Sequence, residues 1–246
     1  MAGGIGSRLR PITNYLNKHL FPVYNKPMIL FPIETLKRAG IRDILIVTDK
    51  YRGEKIIEFL GSGTDFGVTL TYRFQEGANG IADAIKISES YVKKESVMVT
   101  LGDNVTLDSF QSDVKSFSGG CKIFLKRVND PSRFGIAKFD SNNRIVDIIE
   151  KPINPPSNLA VSGIYLFDNK VYKKIEKCRP SERGELEIAD VLKFYILENR
   201  LQFRVLDNIW IDAGTFESLY QASTFVRSIV TQQNSENVEG ENKAQF

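Results

Sequence analysis

Asp103 and Asp212 lie more than a hundred residues apart, and each closes an apolar run: Ser96-Val97-Met98-Val99-Thr100-Leu101-Gly102-Asp103 and Ile209-Trp210-Ile211-Asp212. A carboxylate at the carboxyl end of a buried strand points into the crevice where open α/β sheets bind ligands. Two of them converging there would make an oxygen-only site suited to Mg²⁺ carrying phosphate. The N-terminal run Gly3-Gly4-Ile5-Gly6-Ser7-Arg8 adds a second half to that chemistry. Its glycines let the backbone approach a polyphosphate and aim N–H groups at the oxygens, and Arg8 brings charge on the same loop. Such loops are common as plain turns, so the loop alone carries little. It is neither a P-loop, which needs Lys-Ser or Lys-Thr after the glycines, nor a dinucleotide fingerprint, which would put glycine where Leu9 stands.

Further along, Lys18 precedes the proline-braked apolar segment Leu20-Phe21-Pro22-Val23, which could hold its ammonium toward the phosphates. A lone lysine is ordinarily a solvated surface group, and only its neighbours lift this one. His19 is the single histidine. A general base is not the role expected of it, because an already ionised nucleophile needs positioning and charge more than proton abstraction. Gln75 and Gly80 sit between a strand and a helix, where an amide could pair with the edge of a base; a structural loop explains them almost as well. Glu150-Lys151-Pro152 ends a strand, so the carboxylate could bond sugar hydroxyls while the lysine meets a sugar phosphate, or the two form a strand-end ion pair worth little. Val161 and Tyr165 fit either a core strand or the wall of a sugar pocket, and Trp210 reads as packing.

The elements that must position these groups are legible in outline. The 246 residues are 42% hydrophobic with net charge +3 and interspersed signs, which fits one large domain or two small ones and excludes the basic stripe of a nucleic-acid binder. No run approaches a membrane span or a signal peptide, and Cys121 and Cys178 form no disulfide framework or zinc motif, so a cytoplasmic setting is the default. A helix is expected over 26–39, kinked at Pro32 and capped by Gly40, followed by a buried strand over 43–48. A helix over 53–60, a strand over 68–74, a helix over 81–93 and the strand ending in Asp103 continue the alternation. That rhythm predicts a doubly wound, mostly parallel, Rossmann-like α/β sheet.

After about residue 128 the pattern becomes mixed, with a hairpin of 134–139 and 144–149, a strand over 160–167, a helix over 187–195, and a last helix capped by Thr215. The expected organisation is one domain over 1–230, with halves of about 1–128 and 129–230. The tail 231–246 is too polar to order itself. A phosphate loop in such a fold normally follows a buried strand, yet Met1 stands immediately before this one. Either the recorded start is late or something else fills that place in the sheet, which would otherwise expose two strand edges.

Taken in order, these segments resemble the sugar-1-phosphate nucleotidylyltransferases, and most closely the short form of the glucose-1-phosphate thymidylyltransferases. The matching runs are Ala2-Gly3-Gly4-Ile5-Gly6-Ser7-Arg8-Leu9, Asn17-Lys18-His19-Leu20-Phe21-Pro22-Val23 and Asn25-Lys26-Pro27-Met28; Gln75 with Gly80; and Leu101-Gly102-Asp103-Asn104, Arg133-Phe134-Gly135 and Glu150-Lys151-Pro152. Val161-Ser162-Gly163-Ile164-Tyr165, Arg183-Gly184-Glu185-Leu186-Glu187-Ile188 and Trp210-Ile211-Asp212-Ala213-Gly214-Thr215 complete the set. The resemblance implies that Gly3, Gly4, Arg8, Gln75, Gly80 and Asp103 hold the nucleotide, and that Arg8, Lys18 and Asp103 are catalytic. It further implies that Asp103 and Asp212 bind Mg²⁺, and that Gly135, Glu150, Lys151, Val161 and Tyr165 hold the sugar phosphate. Implied partners are dTTP, with UTP as the close alternative, glucose 1-phosphate and pyrophosphate, in a homo-oligomer with no nucleic acid or membrane. A catalytically silent nucleotide-sugar binder is the other reading of the same fold. Three departures stand out: the family's first strand would end where Met1 stands, His19 replaces a frequent glutamine, and the helical C-terminal extension with its second nucleotide site is not implied.

Overall fold

The computed structural model describes residues 1–243 except Ile5 and Ala78, with the backbone alone over 233–243. A small hairpin of β1 (Pro22–Val23) and β2 (Lys26–Pro27) precedes α1 (Leu30–Arg38). Then follow β3 (Asp43–Asp49), α2 (Glu54–Leu60), β4 (Thr69–Gln75), α3 (Ile81–Ile87), α4 (Glu89–Val92) and β5 (Val97–Thr100). After a turn come β6 (Asn104–Thr106), α5 (Gln111–Ser116), β7 (Cys121–Arg127), β8 (Gly135–Phe139), β9 (Ile145–Glu150) and β10 (Leu159–Phe167). The chain closes with α6 (Val171–Ile175), α7 (Ile188–Leu197), β11 (Leu201–Val205), β12 (Trp210–Asp212) and α8 (Phe216–Lys243).

The fold is mixed α/β, and its central sheet is not the mostly parallel one expected. Six strands pair in the order β11-β7-β10-β8-β9, with β5 also on β10, and of these pairings β11 with β7 is the parallel one. Parallel pairing also joins β3 to β4, and Ala2 to Thr48. The misreading has a physical source: β10 is buried along nearly its whole length, and a strand covered on both faces is continuously apolar whichever way its neighbours run. Pro27 lies in β2 rather than in a helix, and Pro32 falls in the first turn of α1, where a missing N–H costs nothing. The expected 81–93 helix is split at Ser88 into α3 and α4. Thr215 does cap α8, its Oγ1 accepting from the Ser218 N–H at 3.2 Å. Beyond Thr231 the backbone of α8 runs on to Lys243, and residues 244–246 of the expected tail lie outside the described residues.

Apolar faces place the site elements. Ile33 and Leu36 of α1 and Ile56 and Leu60 of α2 pack on Ile44, Ile46 and Leu70 of β3 and β4. Ala82 and Ile85 of α3 join Val191, Leu192 and Tyr195 of α7 over Val99, Ile123 and Tyr165. β10 thereby ties the first half of the chain to the second, with β7 along one edge and β5 and β8 along the other. Both cysteines are free thiols, and among the described residues no helix is long and apolar enough to cross a membrane.

Candidate active site

The N-terminal loop turns sharply because Gly6 takes a left-handed φ of 64°, and Thr13 donates its hydroxyl to the Gly6 carbonyl at 2.8 Å. That turn starts the short helix Ser7–Leu9, whose Leu9 is buried and leaves Arg8 on the open side. Asp103 lies just past β5, in the turn leading into β6. Asn104, next to it, is the register partner of Asp212 in the antiparallel pair β6/β12, and the Ala213 N–H donates to the Asp103 carbonyl at 2.9 Å. The two aspartates thus reach one place from strands far apart in sequence.

A cavity of about 330 Å³ gathers Gly3, Gly4, Arg8, Lys18, Gln75, Gly80, Asp103 and Asp212, which is every residue expected to handle the nucleotide or the metal. An adjoining cavity of about 200 Å³ is lined by Gly135, Glu150, Lys151, Val161 and Tyr165, the full set expected at the sugar phosphate. Arg8 and Asp212 line both, so they stand at the border. Their side chains lie 3.6 Å apart, and Gly214 makes the room: a Cβ there would come within 2.7 Å of Arg8 Nη2 and of Asp212 Oδ1.

Electrostatics divide the aspartates. Lys18 Nζ donates to Asp103 Oδ2 at 2.5 Å, and both side chains are largely buried. Burial alone would raise the Asp103 carboxyl, but the charge of Lys18 and its hydrogen bond outweigh it and hold the group well below the usual carboxylate range. Asp212 goes the other way, pushed up to about 6 by burial and by the charge of Asp103, against the pull of Arg8, Lys18 and Arg133. Burial, with Lys151 opposing, also raises Glu150. His19 is held far below its ordinary value by burial and by Lys18, and its Nδ1 sits 2.8 Å from Asn17 Oδ1. The lowered pKa leaves His19 a neutral ring, and the amide oxygen of Asn17 calls for its one proton on Nδ1.

Gln75 is also oriented. Its Nε2 donates to the Gly80 carbonyl at 3.0 Å and to Asp83 Oδ2 at 2.8 Å, which turns Oε1 toward Gly3 as an acceptor.

Several site residues escaped the reading of the chain. Glu185 and His19 line the first cavity; Leu186, next to Glu185, donates its N–H to the Asn79 carbonyl at 2.8 Å and so ties the second half of the chain to the Gln75–Gly80 loop. In the second cavity Asn104, Arg133, Ser162 and Trp210 were missed as lining groups. Trp210 does pack, edge-on to Phe134 at 5.7 Å. Yet among the described residues Asn104 Oδ1, Arg133 Nη2, Ser162 Oγ and Trp210 Nε1 are buried polar atoms with no partner. Unpaired buried polar atoms are uncommon in folded proteins, and four around one cavity suit a ligand rich in hydroxyls and acceptors. The available signal was their place inside the ordered motifs, Arg133 beside Phe134-Gly135 and Ser162 beside Val161.

This fold and site define a nucleotidyl transferase: the sequence profile of the nucleotidyl transferase family matches residues 1–229, and the chain belongs to that family. It is 40% identical over 240 residues to the glucose-1-phosphate thymidylyltransferase of Neisseria meningitidis, spanning 95% of this chain and 83% of that one. It is likewise 40% identical over 239 residues to the glucose-1-phosphate thymidylyltransferase of Mycolicibacterium smegmatis, over 95% and 83% of the two chains. A Bacillus anthracis crystal structure in complex with sucrose superposes with TM-score 0.87 at 44% identity, covering 92% of this chain and 93% of that one. UDP-glucose pyrophosphorylase complexed with UDP-glucose shares the fold, with TM-score 0.83 at 23% identity over 92% and 96%.

Proposed function

We propose that the chain transfers a thymidylyl group from dTTP to α-D-glucose 1-phosphate in a Mg²⁺-dependent reaction, giving dTDP-glucose and pyrophosphate. The observation that carries this is the border between the cavities, where Arg8 and Asp212 face both. Two anionic substrates would meet there, and the names of the relatives supply the pair. Within one domain, the first half would hold the nucleotide and the second the sugar phosphate. The free thiols suit a cytoplasmic setting, and the family resemblance a homo-oligomer.

Asp103 and Asp212 fit Mg²⁺: the donors are hard oxygens, and among the described residues no third His, Cys, Asp or Glu joins them, as expected of an ion that keeps waters and takes substrate phosphates. When bound, Mg²⁺ would supply counter-charge where the two phosphates approach. The sugar phosphate oxygen is ionised at neutral pH, so the obstacle is repulsion between anions rather than proton removal. Lys151 would orient the attacking phosphate. Arg8 would stabilise charge on the departing pyrophosphate, joined by Lys18, which in the free chain rests on Asp103. Gly214→Ala, by pushing Arg8 away from Asp212, is expected to lower turnover by roughly ten- to a hundredfold with an unchanged circular dichroism spectrum. Unaltered turnover would show that this close approach does not matter.

Base choice follows from Gln75. Oε1 accepts, so the site favours a pyrimidine that presents a ring N–H, as thymine and uracil do and cytosine does not. A methyl-sized difference is worth about 1–3 kcal/mol, so UTP should react within roughly a hundredfold of dTTP, and CTP and GTP should fall below both. Relative kcat/KM over the four triphosphates measures this, and CTP matching dTTP would overturn it. Pyrophosphate release on mixing dTTP, Mg²⁺ and glucose 1-phosphate tests the whole proposal. Binding of dTDP-glucose without release would mark a silent relative instead.

A further inference from the structure

Gln75 does not hold itself in place. It is the last residue of β4, buried at the wall of the nucleotide cavity, and an amide turned over exchanges Nε2 and Oε1 with almost no change of shape. The choice of pyrimidine depends on that turn. An amide that shows Oε1 takes a base whose ring nitrogen carries a proton, whereas one that shows Nε2 takes a base whose ring nitrogen is bare, as in cytosine. Whatever fixes the amide therefore fixes the base.

Two acceptors lie behind it. Nε2 donates to the Gly80 carbonyl at 3.0 Å and to Asp83 Oδ2 at 2.8 Å, which spends both of its protons. Turned over, the amide would set Oε1 against a carbonyl oxygen and a carboxylate, three acceptors with no proton among them. That arrangement loses a charge-assisted hydrogen bond and adds repulsion in a buried place. The Gly80 carbonyl is the weaker hold, being neutral, farther away and shared with the Ala84 N–H, which reaches it at 3.4 Å. Asp83 carries most of the bias. It stands in the first turn of α3 with Oδ2 turned to side-chain amides: Asn79 Nδ2 lies 3.5 Å from the same oxygen while donating to the Glu76 carbonyl at 2.8 Å. On the cavity side Gly3 gives Oε1 its opening. The Gly3 backbone is not left-handed, so its use is space, and a Cβ there would come within 3.2 Å of Oε1.

We propose that Asp83 is a positioning residue that sets this chain's choice of base, by holding the Gln75 amide with its acceptor toward the cavity. Asp83 does not line the cavity itself and acts through Gln75. This role rests on the reading of that cavity as the place of a pyrimidine. It adds that the selection is made behind the base, where one exchange loosens it. Asp83→Ala leaves Nε2 with a single acceptor and a spare proton, so an amide that shows Nε2 is no longer opposed by a carboxylate. Asp83→Asn removes the charge and keeps an oxygen in the same position for Nε2.

The test measures the dissociation constants of dTTP and dCTP, which share their sugar, by titration calorimetry with Mg²⁺ in the parent, Asp83→Ala and Asp83→Asn. Asp83→Ala is expected to cut the preference for dTTP by about tenfold or more, as the loss of one charge-assisted hydrogen bond implies, and Asp83→Asn to restore most of it. Steady-state rates should show the same change in KM, with kcat for dTTP within about threefold of the parent. An acid that served only its helix would lower the melting temperature alike in both variants and leave the preference alone, and that result would overturn the proposal. A second readout needs neither ligand nor variant. In the ¹⁵N-labelled parent both side-chain amide protons of Gln75 should exchange about tenfold or more slower than those of free glutamine, and two fast protons would overturn the proposal even if Asp83→Ala does not fold. Absence of binding by either nucleotide would remove the pyrimidine site and this role with it. That is distinct from an unchanged preference in Asp83→Ala, which would overturn the role of Asp83 alone.

Discussion

Asp103→Asn and Arg8→Ala are each expected to lower turnover by about a hundredfold or more, as the loss of an electrostatic group aimed at phosphate charge does elsewhere. Steady-state pyrophosphate release measures both, and rates within tenfold of the parent in the two variants would remove the mechanism proposed for this site. For Asp103 there is a structural cost as well. Its carboxylate takes the Lys18 ammonium at 2.5 Å in a largely buried place, and the pair holds its folded pKa below the unfolded value. A depressed carboxyl stabilises the fold above its unfolded pKa and loses that stabilisation as pH falls toward the folded one. The Asp103→Asn change would leave Lys18 without its counter-charge, at a cost of about 3 kcal/mol. At pH 7–8 the melting temperature should therefore drop by roughly 6–12 °C, with the gap narrowing below about pH 4.

Asp212→Asn should abolish turnover to a similar degree and yet stabilise the protein. Burial and the charge of Asp103 raise the Asp212 carboxyl from 3.8 to about 6, so the folded state holds a proton there that the unfolded chain has released. For a raised pKa the favourable contribution is complete below about 4 and is lost as pH rises through about 6. At pH 7–8 the ionised group is a net burden of about 1–3 kcal/mol, at 1.36 kcal/mol per unit. Asparagine removes that charge and keeps an oxygen for the Gly214 N–H, which bonds Asp212 Oδ1 at 3.0 Å. The expected result is a melting temperature higher by several degrees at pH 7.5 and nearly equal at about pH 3.5, together with loss of the stabilisation that added Mg²⁺ gives the parent. A lower melting temperature at pH 7.5 would mean that Arg8, 3.6 Å away, outweighs burial and repulsion. The same chemical change at two aspartates that line one cavity thus carries opposite signs for stability, because one has a lysine against it and the other has the first aspartate.

The ordered motifs made much of the candidate site legible. Gly3, Gly4, Arg8, Lys18, Gln75, Gly80, Asp103 and Asp212 were named from residue type and order, and they line one cavity. Residues whose contribution depends on what happens to surround them were not legible. Among the described residues, Ser162, Trp210 and Asn104 carry buried polar atoms that lack partners, and nothing in a strand sequence says that a serine or a tryptophan will be left so. Gly214 shows the same limit: its closeness to Arg8 exists because β12 lies beside β6 and not for any local reason.

By itself the sequence determined the alternation of helices and strands, the hairpin of β8 and β9, the cap at Thr215 and the identity of the charged groups, because periodicity, turn residues and chemical type are local properties. Strand direction, the β6/β12 pairing that brings Asp212 next to Asp103, and the opposite pKa shifts of those two carboxyls were decided by the tertiary structure alone. Each depends on which buried surfaces meet and on the charges lodged between them.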